Sequence, residues 1–119
     1  LYNCAAHDNG RNINFGTGNI ANSLTIKNTF SLGGSGDSYN ATTTEIDYNG
    51  WQRGVSTTEA DFVSIDYELL KSERDSDGSL PDIDYLKLKS GSDLIDSGID
   101  VGLDYNGSAP DIGVFESGG

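Results

Sequence analysis

Three short segments of this chain carry an asparagine in the same setting: Leu1-Tyr2-Asn3-Cys4-Ala5, Ile26-Lys27-Asn28-Thr29-Phe30 and Asp47-Tyr48-Asn49-Gly50-Trp51. Asn3, Asn28 and Asn49 lie 25 and then 21 residues apart. A period of 20–50 residues marks a stacked array, in which each unit buries its apolar face only against its neighbours. The unit here is too short and too strand-like for a helical hairpin. It fits one coil of a parallel β-helix. The period-two alternations are those of half-buried strands: Ile13 and Phe15 around Asn14, and Leu24, Ile26, Asn28 and Phe30 on one face.

Alignment on the asparagines puts Ala5, Phe30 and Trp51 at one position, two residues after each Asn. Coils stack about 4.8 Å apart, so this alignment predicts an aromatic column beside a ladder of Asn3, Asn28 and Asn49. Asn suits a coil corner because it tolerates the left-handed region and its amide both donates and accepts. The composition agrees: 16 glycines and no methionine suit short strands joined by tight turns.

The repeat stops near Arg53, so residues 1–55 are expected to form about three coils. Residues 56–119 are expected to form a non-repeating cap packed on them, since a β-helix end leaves strand edges and apolar side chains that need covering. Ser56-Thr57-Thr58-Glu59 reads as a capping box opening a short helical turn over 59–63. Tyr85-Leu86-Lys87-Leu88 reads as a short strand, and Pro81 ends any helix before it. The expected fold class is all-β.

The net charge of −12 argues against nucleic acid and anionic membranes as partners, because both need a basic face. No run approaches the roughly 18 apolar residues of a membrane helix. Leu1-Tyr2-Asn3-Cys4 is not a signal peptide. One cysteine excludes a disulfide within the chain. Cys4 reads as a small buried hydrophobe, with His7 three residues on and no third group implied.

Two groups of residues resemble a known family over nearly the whole chain. One is Asn49-Gly50-Trp51, Asp61-Phe62-Val63-Ser64, Arg74 and Asp77-Gly78-Ser79-Leu80-Pro81. The other is Leu94-Ile95-Asp96-Ser97-Gly98 with the terminal Asp111-Ile112-Gly113-Val114-Phe115-Glu116. The opening Tyr2-Asn3-Cys4-Ala5-Ala6 with Asn9-Gly10-Arg11-Asn12 is similar to a late coil of the same family. That family is polysaccharide lyase family nine. The resemblance implies the C-terminal part of a secreted bacterial right-handed parallel β-helix. The parent enzyme would cleave pectin, polygalacturonate or rhamnogalacturonan by β-elimination, with calcium held by aspartates and a lysine as base. Calcium on the uronate carboxylate stabilises the charge that develops when the C5 proton leaves. The base works only if its pKa is lowered.

The family's lysine and aspartate cluster belong to coils upstream of the part that this chain resembles. No catalytic residue is carried over, and the fragment alone is expected to be inactive and to hold no cofactor. Its implied partners are the upstream coils and an acidic plant polysaccharide. Lys27 reads as a solvent-facing strand lysine rather than the base. Arg11 is a candidate clamp for a uronate carboxylate and Tyr48 a candidate platform for a sugar ring. Asp75 and Asp77 resemble half of a calcium loop. They lack the later ligands such a loop requires, so a solvated turn is expected. Asp100, Asp104 and Asp111 form a second acidic group of the same standing. The rival reading is a non-catalytic β-helix end from a surface protein that binds glycans or mediates adhesion.

Overall fold

The structure is a computed structural model that describes residues 1–15, 22–34 and 37–117. The end of the second strand of coil one at Gly16, and part of the loop from Gly33 to Asp37, lie outside the described residues.

Four short strands carry the repeat: β1 (Ala5–His7), β2 (Ser23–Ile26), β3 (Phe30–Leu32) and β4 (Thr43–Ile46). β1 pairs in parallel with β3, placing Ala5 on Phe30. β2 pairs in parallel with β4, placing Ile26 on Ile46. Isolated parallel bridges Tyr2–Lys27 and Asn14–Ser38 extend the same stacking. Consecutive coils therefore lie side by side in parallel register, as in a parallel β-helix. Parallel strands need a long return path, and the rest of each coil supplies it.

The shift between coils one and two is 25 residues, as the asparagines suggest, but the shift between coils two and three is 20. One residue of difference moves every side chain to a new column. The left-handed corner falls on Asn3, Asn28 and Tyr48, with φ of 50°, 56° and 60°. Asn49 stands one place later, level with Thr29. Gly50, not Trp51, lies on Phe30: a Cβ on Gly50 would sit 2.8 Å from the Phe30 Cβ and 2.2 Å from the Thr57 Oγ1. The expected column of Ala5, Phe30 and Trp51 is thus corrected to Ala5, Phe30 and Gly50. Trp51 packs instead beside Ile13, Leu24 and Ile26 and stacks on Tyr39, ring centroids 5.7 Å apart.

From residue 47 onward no strand is found among the described residues. Two 3₁₀ turns, Glu59–Asp61 and Tyr67–Lys71, are joined by irregular backbone. The capping interaction sits two residues beyond its expected place. Asp61, not Glu59, reaches back, accepting the Thr58 amide at 2.8 Å, while the Ser56 amide donates to Asp93 at 3.0 Å. The choice follows from burial: Asp61 is also met by the Ser92 hydroxyl at 2.7 Å, which only an inward carboxylate receives. The segment at 85–88 forms bridges rather than a strand, Ser64–Tyr85 and Phe62–Leu88.

Two apolar clusters result. One lies within the coils around Ile13, Leu24 and Ile26. The other joins coil residues Phe30 and Leu32 to Phe62, Leu86, Leu94 and Ile112 from the later half. Phe30 and Phe62 are in contact, centroids 4.9 Å apart. Burying six such side chains is the main force holding the irregular segment in place.

Asn28 fixes where that segment docks. Its Oδ1 accepts the Ile99 amide at 2.8 Å and its Nδ2 donates to the Ile99 carbonyl at 2.7 Å. Its own carbonyl accepts the Gly113 amide at 2.8 Å. The approach is so close that a Cβ on Gly98 would lie 2.6 Å from Asn28 Oδ1, which is why glycine precedes Ile99.

Two substitutions test this packing by chemical denaturation. Gly50→Ala drives a methyl into Thr57 and Phe30 and is expected to cost about 1–3 kcal/mol. Asn28→Ala leaves both half-buried Ile99 backbone groups without their partner and is expected to cost about 1–3 kcal/mol. It should also speed amide exchange at Ile99 relative to the core strands. Wild-type stability and exchange in either variant would contradict the docking described.

Candidate functional site

The coil residues that face solvent form a strip of alternating rings and charges. Tyr2 and Lys27 bridge across coils one and two, and Lys27 Nζ meets Glu45 at 2.8 Å. Arg53 holds Asp47 in bidentate fashion, with Nε to Oδ1 at 2.9 Å and Nη2 to Oδ2 at 2.8 Å. The same guanidinium lies 3.8 Å from the centre of the Tyr48 ring. The strip arises because residues flanking the left-handed corner alternate sides, sending Ile26 inward and Lys27 outward.

Tyr48 and Arg11 come to different places. One face of the Tyr48 ring is covered by Arg53, a cation–π contact that occupies the surface a sugar would stack on. Arg11 is exposed on the turn after β1, with Nη1 3.5 Å from Asn14 Oδ1. The structure does not bring it beside Tyr48 in any contact.

Lys27 is held as an ammonium. Its hydrogen bond to Glu45 raises its pKa above the ordinary lysine value, and the charges of Glu45, Tyr2 and Asp47 act in the same direction. A general base needs the opposite shift. Asp47 is correspondingly lowered, first by its bond from Arg53.

The acidic groups are spent on their own loops. Asp77 Oδ1 accepts the Ser79 amide at 3.0 Å and its hydroxyl at 2.6 Å, which lowers the Asp77 pKa. Asp75 Oδ2 accepts the same hydroxyl at 3.4 Å, and Arg74 closes the turn on the Gly78 carbonyl at 2.9 Å. Asp100 accepts the Gly102 amide at 2.8 Å. Asp111 is buried and gives one oxygen to the Asp96 amide and the other to the Ser117 amide, at 2.8 and 2.6 Å. Among the described residues no three His, Cys, Asp or Glu side chains converge as a metal centre.

The asparagines bond backbone rather than one another. Asn49 is buried; its Oδ1 accepts the Thr29 amide at 3.0 Å and its Nδ2 donates to the Ile26 carbonyl at 2.9 Å. Thr29 does the same one coil earlier, its Oγ1 accepting the Cys4 amide at 3.4 Å and donating to the Lys27 carbonyl at 3.1 Å. Cys4 repeats the second half of the pattern, with Sγ 3.1 Å from the Tyr2 carbonyl. Cys4, Thr29 and Asn49 thus stand in one column, in which Thr29 and Asn49 each accept an amide from the coil before. Sequence reasoning missed it because the three residues differ in type and the asparagine spacing hides the 20-residue shift. It also missed His7, whose Nδ1 lies 2.7 Å from the Tyr85 hydroxyl and so ties β1 to the later half.

No family model matches the sequence. Two curated relatives do, both named pectate lyase L. That of Dickeya chrysanthemi is 37% identical over 98% of this chain, and that of Dickeya dadantii (strain 3937) is 36% identical over 98%. The chain spans 27% of the length of each. Among solved structures, the crystal structure of pectate lyase Pel9A is similar with a TM-score of 0.81 and 34% identity, covering 97% of this chain and 28% of that one. Sequence and fold agree with the resemblance carried by the motifs: over nearly all its length, this chain is similar to about a quarter of these pectate lyases.

Proposed function

We propose that this chain is the closing end of a secreted pectate lyase: the last three coils of a right-handed parallel β-helix, 1–55, sealed by the cap at 56–119. The observation that supports a segment of such a protein is the likeness to pectate lyase L across 98% of the chain while only 27% of the relative is spanned, and what supports its reading as the closing end is the apolar cluster packed over Phe30 and Leu32. The parent protein would cleave polygalacturonate or a related uronic-acid polymer by β-elimination. Its calcium cluster and lysine base would lie on coils outside these residues. Within this chain, Lys27 stays protonated beside Glu45 and the aspartates are engaged in turns, so neither supplies that chemistry.

The role assigned to the segment is mechanical. Parallel coils expose strand edges, and an uncovered edge invites pairing with other chains. The cluster of Phe62, Leu86, Leu94 and Ile112 against Phe30 and Leu32 covers the coils from one side. On coil one, β1 pairs with β3 along one edge, and the Asn3 Oδ1 is buried without a partner among the described residues. We assign that edge to a preceding coil of the same protein, stacked in the register by which Thr29 and Asn49 reach back.

Two measurements test the reading. The chain incubated with polygalacturonate and calcium should release no unsaturated product detectable by ultraviolet absorbance. Steady turnover would overturn the assignment of the catalytic groups to other coils. The Cys4 thiol should react readily with a thiol reagent in this chain and more slowly in a longer version carrying the preceding coils. Equal rates would overturn the proposed stacking on β1.

A further inference from the structure

A half-open cavity of about 470 Å³ lies in the later half, away from the coil strip, between the backbone at 87–90, the turn at Ile95 and the segment 115–117. Its volume falls within the range of small-molecule sites, about 300–1,000 Å³. Phe115 forms one wall and is 40% exposed. On the other side of Phe115 is a smaller apolar groove lined by Leu69, Leu70, Leu80 and Ile83. An aromatic ring left this open between two hollows offers a face for a ligand rather than a core contact.

The rest of the lining is polar. Ser90 and Ser117 place hydroxyls there that make no hydrogen bond among the described residues. Lys87 brings N–H donors, and Glu116 a carboxylate whose oxygens also accept the Asp111 and Asn106 amides, at 3.0 and 3.3 Å, with lone pairs to spare. The charge balance is unfavourable to anions: Lys87 is already ion-paired with Asp82 and lies 3.8 Å from Asp84. Burial pushes the Glu116 carboxyl above its ordinary pKa, against the lowering effect of the Asp111 and Asn106 amides and with a smaller contribution from the charges of Asp111 and Asp96. Lys87 thus stands with Asp82, Asp84 and Glu116, and Asp96 and Asp111 lie beyond, so a ligand carboxylate entering here meets net repulsion.

We propose that this cavity binds a single uncharged pyranose ring, its C–H face on Phe115 and its hydroxyls on Ser90, Ser117, Lys87 and Glu116. An aromatic platform bordered by unpaired hydroxyls, one N–H donor and one carboxylate suits a polyol ring. The negative surroundings select a neutral sugar over a uronate. The proposal goes beyond the lyase reading and does not depend on it, because it rests only on the cavity's shape and lining. The chain would then hold a neutral residue of a glycan at a place separate from uronate cleavage.

The test is a titration of the full chain, followed by amide chemical shifts, with methyl galactopyranoside and with the methyl glycoside of galacturonic acid. These differ only in the oxidation of C6. The galactoside is expected to shift the amides of Ser90, Phe115 and Ser117, and the uronate to bind about tenfold more weakly or not at all. Phe115→Ala should weaken galactoside binding about tenfold. Ser90→Trp, at an exposed position on the rim, should block binding by filling the cavity while Phe115 stays in place, so the test survives if the first variant folds poorly. Absence of shifts with saturating galactoside, uronate binding as tight as galactoside binding, or unchanged binding in Ser90→Trp would each overturn the proposal. Lyase activity has no bearing on any of these outcomes.

Discussion

Asn28 is the residue on which the two halves of this chain depend. It sits at a coil corner in the left-handed region, φ 56°, where Asn is among the few side chains tolerated. Its amide donates to the Tyr48 carbonyl of the next coil, and its carbonyl receives Gly113. Its side-chain amide then copies a strand pairing, donating to and accepting from Ile99. Four hydrogen bonds at one buried residue bind the following strand segment and two points of the later half. Buried polar groups that are fully satisfied specify a unique arrangement, and half-satisfied ones do not. The flanking glycines follow from this: Gly98 passes beside Asn28 Oδ1, and Gly113, φ 116°, lies against the Phe30 ring, where a Cβ would meet Cε2 at 2.8 Å.

What could be read from residue order was the strand alternation and the first coil-to-coil shift. Those are local or carried by identical residues. The second shift was not legible, because Asn49 invites alignment with Asn28 while the backbone aligns it with Thr29. Nothing in Tyr48-Asn49 marks Tyr48 as the left-handed residue, since tyrosine seldom adopts φ of 60°; tertiary pairing imposes it. The expected ladder of Asn3, Asn28 and Asn49 becomes two columns, with Asn28 turned to the cap and Asn49 to the Thr29 amide. The capping position moved for a similar reason. Ser56 and Glu59 have the right spacing, but Asp61 is the acid that meets Ser92, thirty-one residues away, and spacing carries no information about that contact.

Charge has a parallel lesson. The chain bears 7 basic residues against 19 acidic, and its principal cations are committed: Lys27 to Glu45, Arg53 to Asp47, Lys71 to Glu68 and Lys87 to Asp82. Exposed pairs of this kind add little stability. Their larger effect is on the surface potential, because a paired lysine or arginine has little field left to draw in a polyanion. Tyr48 and Arg11 are attractive as uronate contacts only while each is considered alone. With Arg53 over the ring and Asp47 on Arg53, the coil strip is close to neutral locally on a strongly acidic body.

The two sides of the coil stack differ in how their polar groups are settled. Against the later half, Asn28, Phe30 and Leu32 have partners supplied by Ile99, Gly113, Phe62 and Leu94. At coil one, the Asn3 Oδ1 is enclosed with no donor among the described residues, although Asn28 at the equivalent corner accepts the Ile99 amide. An enclosed acceptor left unpaired costs about 1–3 kcal/mol, a large share of what a small domain has in hand. Asn28 avoids that cost because the Ile99 amide reaches its corner from the later half of the chain. The two corners therefore share a left-handed backbone and differ in what the rest of the chain brings to each.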